Sequence, residues 1–273
     1  MNRYFNALIV IAITMMVTAA CDTNKKSDET PSDENNTENE VVAEANVEGE
    51  AYLNSIDFND SLYTANSLFY SRDVNGETEW VEVIMSLNDS NQIVKMKEQF
   101  VVAGSDAIFS NHFYFKDGQK YATKQFFIES EKDSSYFVEL LSYYDENEEV
   151  LATKRRTAIY EDYLPQEQYM VTEKTPCSSD RAYDIINQKG KFETTFQGFV
   201  DMEGFKFLVV GENAKNGYSS ALIVQQITPL IIELRNNESK MIGTPLTVNF
   251  QTIVDGTGSQ QILLGVNKSE KSE

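Results

Sequence analysis

The sequence predicts a mainly β protein: an antiparallel meander of hairpins, then a short helix, then a second group of strands. Apolar and polar residues alternate with a period of two through many short segments, as strands with one buried face require. Turn residues punctuate those segments at close intervals. Phe (16) and Tyr (14) are plentiful and Pro (5) is scarce, a balance that suits pleated sheets.

Met1 to Ala20 reads as an export signal. Arg3 charges a short leading region, and Ala7 to Val17 is apolar apart from Thr14. A run of about 11 residues is too short to span roughly 30 Å of hydrocarbon, but it matches the apolar region of a signal peptide. Thr18-Ala19-Ala20 then leads to Cys21. This stretch resembles a bacterial lipoprotein signal of the looser Bacteroidota kind, with Thr18 where the family usually has Leu and Val17 one step further out. The resemblance implies cleavage between Ala20 and Cys21 and attachment of diacylglycerol to the Cys21 thiol. The other reading is an ordinary secretory signal cut near Ala20. Acyl chains contribute about 0.8 kcal/mol per buried CH₂, so two or three of them anchor a protein stably. No later window approaches 18 apolar residues, so no transmembrane helix is predicted.

Residues 21–50 read as a disordered acidic tether. They hold ten Asp or Glu against Lys25 and Lys26, with no aromatic residue. Such a chain buries too little apolar area to offset its ordering entropy, and its like charges extend it. Asp28-Glu29 and Asp33-Glu34 resemble the acidic sorting signals that send some Bacteroidota lipoproteins to the cell surface. The expected location is the outer membrane, on either its periplasmic or its surface face.

Residues 51–163 form the predicted meander, a twisted sheet or half-barrel. Trp80 to Leu87 alternates, with Val81, Val83, Met85 and Leu87 on one face. A polar turn, Asn88 to Gln92, leads into Ile93 to Lys97. His112 to Lys116 and Lys120 to Glu129 flank Asp117-Gly118, a strong hairpin signal. Tyr136 to Tyr144 and Glu149 to Thr157 flank Asp145-Glu146-Asn147-Glu148. The stretches YFKDGQKYATK (114–124) and YYDENEEVLATK (143–154) align with one inserted residue, and YSRDVNGETEW (70–80) reads as a degenerate third copy.

Residues 164–177 read as a linker. Ser178-Ser179-Asp180 then looks like a helix start, with Ala182, Ile185 and Ile186 on one face and Gly190 as the stop. Strands follow at Phe192–Asp201, Phe205–Gly211, Ser219–Gln225, Leu246–Ile253 and Gln261–Val266, with a short turn or helix at Leu230–Asn236. Three strands, a connecting element and two strands make the order of a small barrel. KFETTFQGFVDMEGFKFLVV and MIGTPLTVNF resemble segments of OB-like domains of exported proteins, which implies an OB-like barrel over 178–273 with an N-terminal helix.

Net charge is −20, which disfavours nucleic acid and anionic lipid headgroups. With Cys21 lipidated, Cys177 has no internal disulfide partner. It is either a buried, inert residue or a free thiol able to pair with another molecule. His112 is the sole histidine, read as a sheet-edge or turn residue, so Ser-His, Cys-His and multi-histidine metal sites are not predicted. No phosphate loop, dinucleotide fingerprint or EF-hand pattern occurs. The Asp145–Glu149 carboxylates read as a solvated turn, with weak Ca²⁺ binding as the alternative. Phe113, Tyr114, Phe115, Phe126 and Phe127 either fill the core or line a groove. Asp60-Ser61-Leu62 resembles a Bacteroidota O-glycosylation acceptor, which places a glycan on Ser61.

These readings predict a non-enzymatic, monomeric envelope lipoprotein with no cofactor, no metal and no catalytic residue. It is held to the membrane by its N-terminal lipid and binds an envelope protein or a glycan. The alternative is a carrier that cups an apolar ligand against the curved first sheet, as half-barrel lipoprotein chaperones do. A concavity in that sheet favours the carrier, and a flat packed sheet favours the binder.

Overall fold

The computed structural model describes residues 49–131, 134–255 and 258–269, all within one compact unit, Val42–Glu273. Ala20 and Cys21, and with them the signal, the cleavage site and the lipidation site, lie outside the described residues. Among the described residues no helix is long and apolar enough to cross a membrane.

The described chain opens on helical residues 49–57 (α1). The meander follows as β1 (Tyr63–Asn66), β2 (Tyr70–Val74), β3 (Glu77–Leu87), β4 (Ile93–Val101), β5 (Phe109–Lys116), β6 (Gln119–Glu131), β7 (Ser134–Tyr144) and β8 (Val150–Ala158). From β2 to β8 each strand pairs antiparallel with the next, and β1 continues along β3 beside β2. Asp117 and Gly118 both take positive φ, 53° and 81°, the mirror-image turn that matches strand twist. The two similar hairpins also share a bulge, at Tyr114/Phe115 in one and Tyr143/Tyr144 in the other.

The segment read as a linker extends the sheet. A 3₁₀ helix (η1, Glu161–Gln166) is followed by β9 (Met170–Thr172), which pairs with β8. The predicted helix is α2 (Asp180–Ile186). It stops earlier than Gly190, because Gln188 takes φ 54° and the Lys189 amide donates to Asp184 O at 2.9 Å.

The last strands are β10 (Thr195–Met202), β11 (Phe205–Gly211), β12 (Ser219–Val224), β13 (Leu246–Asp255) and β14 (Gly258–Lys268). Two helices, α3 (Pro229–Asn236) and α4 (Glu238–Met241), lie between β12 and β13. Thr228 caps α3 by accepting from the Ile231 amide, and Pro229 sits where a missing N–H costs nothing. The strands run β10-β11-β12-β14-β13, with β12 and β14 parallel. This is a five-stranded, OB-like order, but the sheet does not close into a barrel. One isolated bridge, Thr195 with Pro245, returns the curl to β10. On the edge it shares with β14, but at its opposite end, β12 pairs with β2 through Ser219 and Ser71, so both strand groups belong to one large mixed sheet.

A single core spans both groups. Tyr70, Val81, Val83, Met96 and Phe113 of the meander meet Ala182 and Ile185 of α2 and Phe196, Leu222, Ile231 and Leu263 of the curl. Each large aliphatic or Phe side chain among them contributes roughly 1.5–3 kcal/mol of burial. Gln261 of β14 bolts the junction. Its Oε1 accepts from the Phe69 amide and Ser220 Oγ at 3.0 and 3.1 Å, and its Nε2 donates to Ser67 O at 3.0 Å. The opposite face of the meander is covered at one end by α1, where Leu53 and Ile56 pack on Tyr114, Ala122, Leu141 and Tyr143. Farther along that face η1 and Tyr169 lie over Glu139 and Arg156, and a cleft is left open beside them.

A cleft on the open face of the meander

Strand register builds the candidate site. Residues two apart on a strand share a face, and partners across the ladder stand side by side. Lys97 of β4 pairs with His112 of β5, His112 with Lys124 of β6, Lys124 with Leu141 of β7 and Leu141 with Lys154 of β8. One row across five strands thus carries three lysines and the histidine. Lys124 and Lys154 occupy equivalent places in the two similar hairpins, at the end of each Ala-Thr-Lys.

α1 neutralises most of this row. Asp57 accepts from Lys124 at 3.0 Å, from Lys95 of the next row at 2.6 Å, and from Tyr114 Oη at 3.0 Å. Burial alone raises the Asp57 pKa, but Lys95 and Lys124 outweigh it and hold the carboxyl below its usual value. Glu50 takes Lys154 at 2.9 Å. Gly49 lets the helix lie close, since a Cβ there would stand 2.5 Å from Tyr143 Cε1.

Lys97 lies beyond the reach of α1. It is half-buried and has no hydrogen-bond or ion-pair partner among the described residues. Burial and the neighbouring Lys95 lower its pKa, while Glu82 opposes the shift. Glu82 sits diagonally on β3, and its own carboxyl is raised by burial. His112 Nε2 is buried with no partner, under the Phe126 ring at 5.0 Å between centroids. Burial first, then Lys95 and Lys97, push its pKa well below normal, so the imidazole is neutral at pH 7.

Lys97 and His112 form one end of a cleft of about 530 Å³, a volume within the range of small-ligand sites. Phe126, Ile128 and Phe137 line the floor; Ile108 and Leu164 line the two walls. Asp106 and Glu161 stand exposed at the mouth. The η1 wall is held from below. Arg156 donates to Pro165 O at 3.0 Å and to the buried Glu139 at 2.6 Å, and Tyr169 Oη also donates to Glu139. A second depression of about 580 Å³ near the β2–β12 junction is lined by Phe69, Phe205, Phe207 and Ile223. Beside it Phe69 stacks on Trp80 at 5.4 Å.

Of the residues singled out in the sequence, His112 is not at an edge or turn. It stands mid-strand between β4 and β6, because β5 begins three residues earlier than its aromatic run suggests. Phe113 and Phe115 fill the core, Tyr114 packs under α1, and Phe126 and Phe127 line the cleft. Cys177 is a buried free thiol, and burial pushes its pKa up to about 11. Ser61 lies in the exposed turn after α1, with Oγ donating to Asn59 Oδ1 at 2.6 Å. The Asp145 turn uses its own carboxylate, which accepts from the Asn147 and Glu149 amides, and Glu148 pairs with Lys120 at 2.9 Å. Among the described residues no group of three His, Cys, Asp or Glu is placed to hold a metal. Lys97 was missed, since only the register shows that its neighbours find acids and it does not. Comparison with family models, curated proteins and solved structures returned no match.

Proposed function

We propose that the protein is a lipid-anchored envelope protein that holds an apolar ligand in the meander cleft and does no chemistry on it. One observation carries this reading: a roomy cleft, floored by Phe126, Ile128 and Phe137, on a sheet face that neither α1 nor the curl covers. The lipoprotein-like signal ending at Cys21 supports the anchor and an outer-membrane location. A neutral diazirine-bearing hexadecanol, added to the full chain in mild detergent, is expected to cross-link to peptides of β6, β7 and the 106–108 loop. Ile108→Asp, a change at an exposed wall residue, is expected to reduce that labelling about tenfold. Labelling scattered over the surface, or indifferent to Ile108→Asp, removes the carrier reading. An N-terminal peptide lacking a diacylglyceryl-sized mass removes the anchor.

The stacked Phe69–Trp80 pair favours a second reading, a platform for a glycan or an envelope protein. Trp80→Ala then abolishes retention on glycan or on the partner while leaving cleft labelling intact.

A further inference from the structure

Resting on the carrier reading, we infer that the cleft selects a long-chain monocarboxylate, its head group on Lys97 and its chain along Phe126, Ile128 and Phe137. Three lysines of this face have an acid, Lys95 and Lys124 sharing Asp57 and Lys154 taking Glu50, and Lys116, exposed at the hairpin end, lies over the Tyr52 and Tyr121 rings. Lys97 is half-buried with no hydrogen-bonded acid among the described residues, Glu82 acting on it only from the diagonal position, and it is the lysine that lines the cleft. A half-buried ammonium without a direct ion pair carries a desolvation cost that an incoming anion relieves. Its cross-strand neighbour His112 adds a buried nitrogen, Nε2, with no partner among the described residues. The floor therefore offers positive charge at one end and aromatic and aliphatic surface beyond it, the pattern of an amphiphile with an anionic head.

The surrounding acids narrow the head group. Glu82 lies diagonally from Lys97 on the sheet, and Asp106 and Glu161 stand at the mouth. None pairs with Lys97, but together they repel a head bearing two negative charges, as a phosphate monoester does. A single carboxylate matches one lysine and meets the least repulsion.

Competition against the hexadecanol probe tests this on the full chain. Palmitate is expected to displace the probe at about a tenfold lower concentration than unlabelled hexadecanol, and hexadecyl phosphate no better than hexadecanol. Lys97→Met is expected to erase the palmitate advantage without weakening hexadecanol, and Lys97→Arg to keep most of it. If palmitate and hexadecanol compete equally in the native protein, the carboxylate preference is wrong and the carrier reading stands. If hexadecyl phosphate competes best, the head-group assignment is wrong. If the probe never labels the cleft, the carrier reading itself has failed.

Discussion

Lys95 and Lys97 are two residues apart on β4 and face the same side of the sheet, yet they meet different surroundings. Lys95 lies under α1 and donates to Asp57 at 2.6 Å, with the Tyr114 ring 5.1 Å away. Lys97 lies in the cleft with no ion pair among the described residues, Glu82 acting on it only from the diagonal position. The covered end shows what this face looks like when it is finished as structure: Lys95, Lys124 and Lys154 each have an acid, and Tyr114 and Tyr143 pack under α1. The open end shares the same row of residues and has only the η1 wall and the 106–108 loop beside it. The contrast teaches that the cleft is an unfilled part of a face whose other part is filled by the chain itself.

That comparison breaks most sharply at Arg156. Arg156→Met leaves Glu139, 1 % exposed, with Tyr169 as its remaining side-chain partner and releases the η1 wall. Removing one member of a buried pair costs about 3–5 kcal/mol, so urea unfolding should shift by that amount; a change below about 1 kcal/mol means the wall is held by other contacts. Asp57→Asn acts at the covered end, weakening the acceptor for two lysines and Tyr114, and should cost about 1–3 kcal/mol. Because the folded pKa of Asp57 is depressed, its stabilisation is complete above the unfolded value of about 3.9 and is lost as pH falls through the folded value. The variant should therefore show a shallower loss of stability below about pH 4 than the native chain; an unchanged acid limb places that sensitivity elsewhere.

The smallest effect is expected at Lys97. A residue kept for binding supports the fold little, so Lys97→Met should leave stability within about 0.5 kcal/mol of native or raise it. A loss as large as that of Asp57→Asn would make Lys97 structural and erase the difference between the two ends.

Much of the fold was legible because hairpin chemistry is local. Asp117-Gly118, the alternation around Val81 and Val83, and the bounds Phe205–Gly211 are written in neighbouring residues. The strand order of the curl was legible too, but not its openness, which depends on how few residues near Thr195 meet Pro245. α1 escaped notice because its apolar residues, Leu53 and Ile56, make barely one turn of pattern beside an acidic stretch. The cleft escaped notice because it is assembled from four strands, a loop and η1, and its key property is a pairing that does not happen. The repeated Ala-Thr-Lys was visible, but the acids that answer Lys124 and Lys154 come from a helix some 70 to 100 residues earlier.

Tension along the chain from its N-terminal side reaches the sheet through α1. Its grip on the sheet is two carboxylates, one tyrosine hydroxyl on Phe115 O and a small apolar patch. A pull directed away from the sheet loads these contacts one after another, as in opening a zipper, while the long ladders of the meander bear none of it. The first mechanical event under load is then the peeling of α1. It would uncover Lys95, Lys124 and Lys154 beside Lys97 and turn a cleft with one bare cation into a basic strip several strands wide.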